Sequence, residues 1–220
     1  MKSKLVYDYI KNDKDIINIY NEIEELEQKG ENWAYHNVNH INKVTDLVVK
    51  ILEGLNYSSE IIYAAKIAAI MHDVGVIEGK NNHALRSYEY TKKYFEINNI
   101  VFDNIDLVLE AIKNHSDVFE TNNILCLVLT LADKLDNTKY RVTPAGYDVE
   151  GFRQFLYIND IFLEINNGIL KINFEADEML NIDELFNYYF IKKMVNVIIY
   201  FCSKLNLKYE VRINNNIWNI

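Results

Sequence analysis

The sequence predicts a mainly α-helical bundle carrying a small C-terminal β-hairpin. Three observations lead there. Only 1 Pro and 7 Gly occur in 220 residues, which suits long helices with short connections and not a many-stranded sandwich or barrel. Apolar residues recur at helical spacing through the first 140 residues. Beyond residue 145 the spacing turns to alternation around Asn166-Asn167-Gly168, the signal of a hairpin with an Asn-Gly turn.

Asn12-Asp13-Lys14-Asp15 reads as a helix start with acids in the first turn. Ile16, Ile17, Tyr20, Ile23 and Leu26 follow at helical spacing, and Gly30 ends the run. A second helix spans about 37–52, where His40 shares a face with Val44, Leu47, Val48 and Ile51 and so points toward the core. Ser58 and Ser59 offer a cap for a third, 60–71, apolar nearly all round and therefore buried. It ends in His72-Asp73, and 74–82 is a loop with two glycines. Helices follow over 83–97, 103–114 and about 121–139; His83 starts the first, His115 follows the second and Asp133 lies inside the third. Residues 150–157 suit a helix, 161–165 and 169–174 pair as the hairpin, 183–205 is a final long helix and 209–213 a further strand. The asparagines scattered through the chain read as compositional. The expected division is a helical domain, 1–145, and a helix and hairpin extension, 146–220, packed on the same core.

Composition sets bounds on function. Hydrophobic residues make up 50%, enough for a sizeable core, and the net charge of −9 disfavours binding to a nucleic-acid duplex. Acidity leaves a phosphorylated substrate open, because a metal can supply local positive charge. Cys126 and Cys202 sit in apolar helical runs and read as buried free thiols. No signal pattern and no membrane-length apolar run occurs, so a cytoplasmic protein without a membrane partner is the expectation.

The chain has five histidines, and all fall in its first 115 residues. Singly, each is more often a surface or satisfied core residue than a ligand. Asp133 is sharper, because a carboxylate after the apolar run 125–132 is costly to bury unless it is paired or binds metal. If His40, His72, Asp73 and Asp133 converge at one end of the bundle, two histidines and two carboxylates suit Mn²⁺, Fe²⁺, Zn²⁺ or Co²⁺. Adding His83 and His115, with Asp73 as a bridge, makes room for a second ion.

The order His40, His72-Asp73, His83, His115, Asp133 resembles the HD-domain superfamily of metal-dependent phosphohydrolases. The matching stretches are His40-Ile41-Asn42-Lys43-Val44, Ala69-Ile70-Met71-His72-Asp73-Val74-Gly75, His83 with its helix, Ile112-Lys113-Asn114-His115 and Leu131-Ala132-Asp133-Lys134-Leu135-Asp136, together covering about 35–140. The resemblance implies an HD-domain-like bundle in which His40, His72, Asp73 and Asp133 hold a first divalent ion, and His83 and His115 a second. Ni²⁺ and Mg²⁺ join the admissible metals. Tyr35-His36-Asn37-Val38-Asn39-His40 is similar to a signature of cyclic-nucleotide phosphodiesterases in the same superfamily, which makes His36 the general-acid candidate beside the catalytic dyad residue Asp73. Some features depart from the better-known members. Val76-Ile77 follows Gly75, Glu78 is a single acid where guanosine tetraphosphate hydrolases carry an acidic pair, and Asn114 stands where cyclic-di-GMP hydrolases double the histidine.

The expected activity is hydrolysis of a phosphomonoester or phosphodiester, in a nucleotide or other small phosphorylated substrate, by metal-activated hydroxide. Lys80, Arg86, Lys134, Lys139 and Arg141 are the candidate phosphate-binding residues. Tyr140, Tyr147, Arg153 and Tyr157 are candidates for a pocket wall. The alternatives are a di-iron oxygenase of the same superfamily and a non-catalytic nucleotide or metal sensor. Simple packing, a cover over the site and a homodimer contact are the roles open to the C-terminal segment.

Overall fold

In the computed structural model, residues 1–116 and 120–219 are described. They form nine α-helices, several 3-10 turns and one four-stranded sheet. Two compact units divide the chain: Met1–Glu24 with His36–Asp133, and Glu25–Tyr35 with Lys134–Ile220. The second unit thus resumes at Lys134, ahead of the boundary expected at residue 145, and also takes in 25–35.

The first unit is helical. α1 is Ser3–Lys11, α2 Lys14–Lys29, α3 Val38–Gly54, α4 Ser59–Met71, α5 His83–Ile97, α6 Ile105–Asn114 and α7 Ile124–Leu135, with the unit borders falling inside α2 and α7. α1 was not expected from the mixed, charged start of the chain. Its Val6, Tyr7 and Ile10 are buried, and it packs on α4. α4 also packs on α3 and α6, and every residue from Ile67 to Met71 is buried. That surrounds its apolar sides and explains the lack of a polar stripe. Residues 74–82, expected as a loop, contain a 3-10 turn, Val74–Glu78.

The second unit holds the sheet. β1 (Ile158–Asn166) and β2 (Ile169–Ala176) form the expected hairpin, with Asn167 and Gly168 both at positive φ as an Asn-Gly turn requires. β3 (Lys208–Ile213) lies parallel to β2, and β4 (Asn216–Ile217) completes the order β1-β2-β3-β4. Ile161, Leu163, Leu170, Ile172, Phe174, Val211 and Ile213 are buried, so alternation sets one apolar face. The expected long last helix is two: α8, Ile182–Asn187, and α9, Tyr189–Lys204. Tyr188 between them is extended, its ring 5.9 Å from that of Phe152 and 6.0 Å from that of Phe155. Aromatic packing has overridden helical continuity. Residues 150–157 form a 3-10 turn, Phe152–Tyr157, in place of an α-helix.

Candidate metal centre

All seven residues expected at the centre belong to the first unit. α3 begins after Asn37, whose side-chain oxygen accepts the His40 N–H at 3.1 Å while its amide donates to Glu24 at 2.8 Å. This cap fixes the turn that carries His40. α4 ends at His72-Asp73, and the Tyr20 hydroxyl donates to the Ile70 carbonyl at 2.5 Å in the last turn. His83 opens α5, His115 is the C-cap of α6, and Asp133 lies in the last turn of α7.

Three histidines are oriented alike. Nδ1 of His72 donates to the Ala69 carbonyl at 2.8 Å, that of His83 to Lys80 at 2.9 Å and that of His115 to Ile112 at 2.7 Å. Each Nε2 is thereby left with its lone pair facing inward. These lone pairs meet carboxylate oxygens. Asp73 Oδ2 is 3.1 Å from His72 Nε2 and 3.4 Å from His40 Nε2, while Asp133 Oδ1 is 3.3 Å from His40 Nε2. Asp73 Oδ1 is 3.4 Å from the Nε2 atoms of both His83 and His115, which are 3.1 Å from each other.

Where these nitrogens carry no proton, acceptors face acceptors at this range and repel unless a cation stands among them. His72 Nε2 and both Asp73 oxygens are buried without a properly angled hydrogen bond. A divalent ion answers that demand, since ligand atoms about 2.0–2.2 Å from one ion and at tetrahedral or octahedral angles lie about 2.9–3.5 Å apart. Two sets emerge, His40-His72-Asp73-Asp133 and Asp73-His83-His115, sharing Asp73 through opposite oxygens.

Residues 37–138 match the family model described as the HD domain. This stretch, 102 of the 220 residues, supports a place in the HD-domain superfamily. The matched span contains all six ligand candidates, and His36 falls one residue ahead of it. Among solved structures the chain is similar to a predicted HD superfamily hydrolase from an uncultured Thermotogales bacterium. Identity is 21%, coverage is 57% of this chain and 68% of that one, and the TM-score is 0.45. No curated protein matches.

The four-residue cluster fits the divalent-metal site of an HD domain. Its electrostatics follow from burial and two carboxylates. Burial opposes a charge on His72, but Asp73 and Asp133 overcome it and hold the imidazole up at about 10. Burial likewise opposes the Asp73 charge, yet His72 and His36 pull its carboxyl well below the usual range. On His115 burial prevails and lowers the imidazole to about 4, so it stays neutral. The centre therefore draws positive charge to the first set and keeps a neutral imidazole in the second.

His36 is buried beside both sets, its ring 6.1 Å from that of His40 and 6.3 Å from that of His83. Of the expected phosphate-binding residues, Lys80 is exposed and Arg86 donates to the carbonyls of Gly75 and Gly79. Lys134, Lys139 and Arg141 belong to the second unit; Lys134 is buried, Lys139 donates to Asn159 at 2.9 Å and Arg141 to the Tyr35 carbonyl. Arg153 forms a two-pronged pair with Glu184 at 2.8 and 3.0 Å. Both cysteines are free and buried, and among the described residues no helix is long and apolar enough to cross a membrane. Tyr20 and Asn37 were not singled out from sequence. Asn37, three residues before His40 at a helix start, carried a readable capping signal.

Proposed function

We propose that this chain is a metal-dependent phosphohydrolase, with His40, His72, Asp73 and Asp133 holding one divalent ion and Asp73, His83 and His115 a second. The substrate is a nucleotide or another small phosphorylated molecule. The observation that supports this reading most is the sharing of Asp73, which turns Oδ2 to one set and Oδ1 to the other. When bound, the metal pair supplies Lewis acidity to a phosphoryl group and to the attacking water.

The chain's own residues do the rest. Asp73 and Asp133 balance the cationic charge, and Asp73 fixes the spacing of the two sets. The Nδ1 hydrogen bonds of His72, His83 and His115 hold their rings in the ligating tautomer. His36 stands next to both sets without belonging to either, where it can protonate the leaving oxygen. Lys80, three residues before His83, is an exposed basic candidate for the phosphate.

The test is metal content after chelator-free purification, followed by a screen of nucleotides and phosphoesters for phosphate or nucleoside release, with O₂ uptake followed in parallel. Metal-dependent phosphate release supports the proposal. O₂ consumption without phosphate release would favour the oxygenase reading, and metal binding with neither activity the sensor reading.

A further inference from the structure

The turn that follows the dyad is tied to the helix that starts with His83, and the tie is built on one residue, Gly75. Gly75 donates its N–H to Ser87 Oγ at 2.9 Å and accepts from Arg86 Nε at 3.0 Å through its carbonyl. Arg86 also donates to the Gly79 carbonyl, so its guanidinium spans the 3-10 turn Val74–Glu78. Ser87 is fully buried and lies one turn after His83 on α5. The approach is so close that a Cβ on residue 75 would come within 2.5 Å of Ser87 N, 2.6 Å of His83 O and 2.8 Å of Arg86 Cβ. Gly75 is two residues from Asp73, and Asp73 Oδ1 and His83 Nε2 are the atoms that must stay 3.4 Å apart in the second set.

We propose that Ser87 and Arg86 are positioning residues for the second metal, gripping the two peptide groups that flank the Gly75 Cα and so holding His83 in register with Asp73. His40, His72 and Asp133 reach the first set from α3, the end of α4 and α7, so the grip touches that set only through Asp73. His115 arrives from α6 and depends on it only through Asp73. The proposal rests on the two-ion reading of the site. It also gives Arg86 a role different from phosphate binding.

The experiment is a calorimetric titration of metal-free protein with Mn²⁺, with electron paramagnetic resonance of the loaded samples to detect a coupled Mn pair. Ser87→Ala and Arg86→Leu should each weaken the second equivalent by about 10–100-fold and the first far less. The coupled-pair signal should fade at stoichiometric Mn²⁺. Ser87→Thr, which keeps the hydroxyl, should restore much of the loss relative to Ala. Arg86→Leu serves if Ser87→Ala does not fold, because the Arg86 side chain is partly exposed. Wild-type protein binding two equivalents, with an unchanged second equivalent in both variants, overturns the grip alone. Wild-type protein binding one equivalent overturns the two-ion reading and the grip with it. Equal weakening of both equivalents also refutes the grip, since general softening of the fold would produce it.

Discussion

Asp73→Asn isolates what the shared carboxylate does. The substitution preserves shape and burial but leaves one oxygen and no charge. In the native side chain Oδ2 is 3.1 Å from His72 Nε2, and Oδ1 is 3.4 Å from the Nε2 atoms of His83 and His115. An asparagine can offer its oxygen to one set only. If it faces the first, the second is reduced to two neutral imidazoles. A unit charge at about 3.4 Å in an effective dielectric of about 20 is worth about 5 kcal/mol. An ion among these nitrogens lies within that range, so at least about 10³-fold in affinity should be lost at one set. The other set should weaken but persist. Titration of metal-free protein with Mn²⁺ or Co²⁺, checked by metal analysis after desalting, reads both numbers, and circular dichroism confirms the fold. Two equivalents bound with native affinity in this variant would refute the bridging role and the two-ion site built on it.

Four further outcomes are expected. His36→Ala should lower turnover by about 10²–10⁴-fold while both metal equivalents remain; loss of metal instead would make His36 a ligand. Tyr20→Phe removes the donor to the Ile70 carbonyl and should cost about 1–3 kcal/mol in urea unfolding, because that buried acceptor is then left unmet. Chelation should lower the midpoint of thermal unfolding. Metal at about 100 times its Kd stabilises by about 2.7 kcal/mol, so a midpoint unmoved by chelator and by added Mn²⁺ counts against a metal site. The Arg153 hydrogen bonds hold the Glu184 carboxyl down at about 2, below its unfolded value near 4.5. That contribution is complete above about pH 4.5 and is lost as the pH falls toward 2, so Glu184→Gln should flatten the acid limb of the stability profile.

Much of the centre was readable because its information is local. Each candidate ligand stands near a helix boundary, and helix boundaries show in the spacing of apolar residues: α4 ends where the run through Met71 meets His72-Asp73, and α5 begins at His83 as expected. What stayed hidden depends on distant partners. The break between α8 and α9 at Tyr188 has neither Pro nor Gly to announce it; it follows from rings more than thirty residues away in sequence. The parallel pairing of β2 with β3 could not be inferred from alternation, which marks a strand but not its neighbour. α1 is only nine residues long, and its burial against α4 shows only once both are placed. The asparagines mislead for a different reason. Asn56, Asn99 and Asn206 follow the ends of α3, α5 and α9 at φ of 59°, 51° and 52°. They stop helices where glycine would usually serve, in a chain that has only 7 glycines.

The same boundaries explain why histidines, rather than cysteines or carboxylates alone, suit these positions. The last carbonyls of a helix have no intrahelical partner and need a donor. His72 and His115 are the C-caps of α4 and α6, and each gives its Nδ1–H to the carbonyl three residues back, Ala69 or Ile112. One imidazole thus finishes a helix with one nitrogen and presents a lone pair with the other. A carboxylate has no proton to give such a carbonyl at neutral pH, and a thiol is a weak donor. Asp73 sits one position further on, past the point where the carbonyls need a donor, and both of its oxygens stay available to bridge. At His72 and His115, helix termination and the aim of Nε2 into the centre are therefore one constraint.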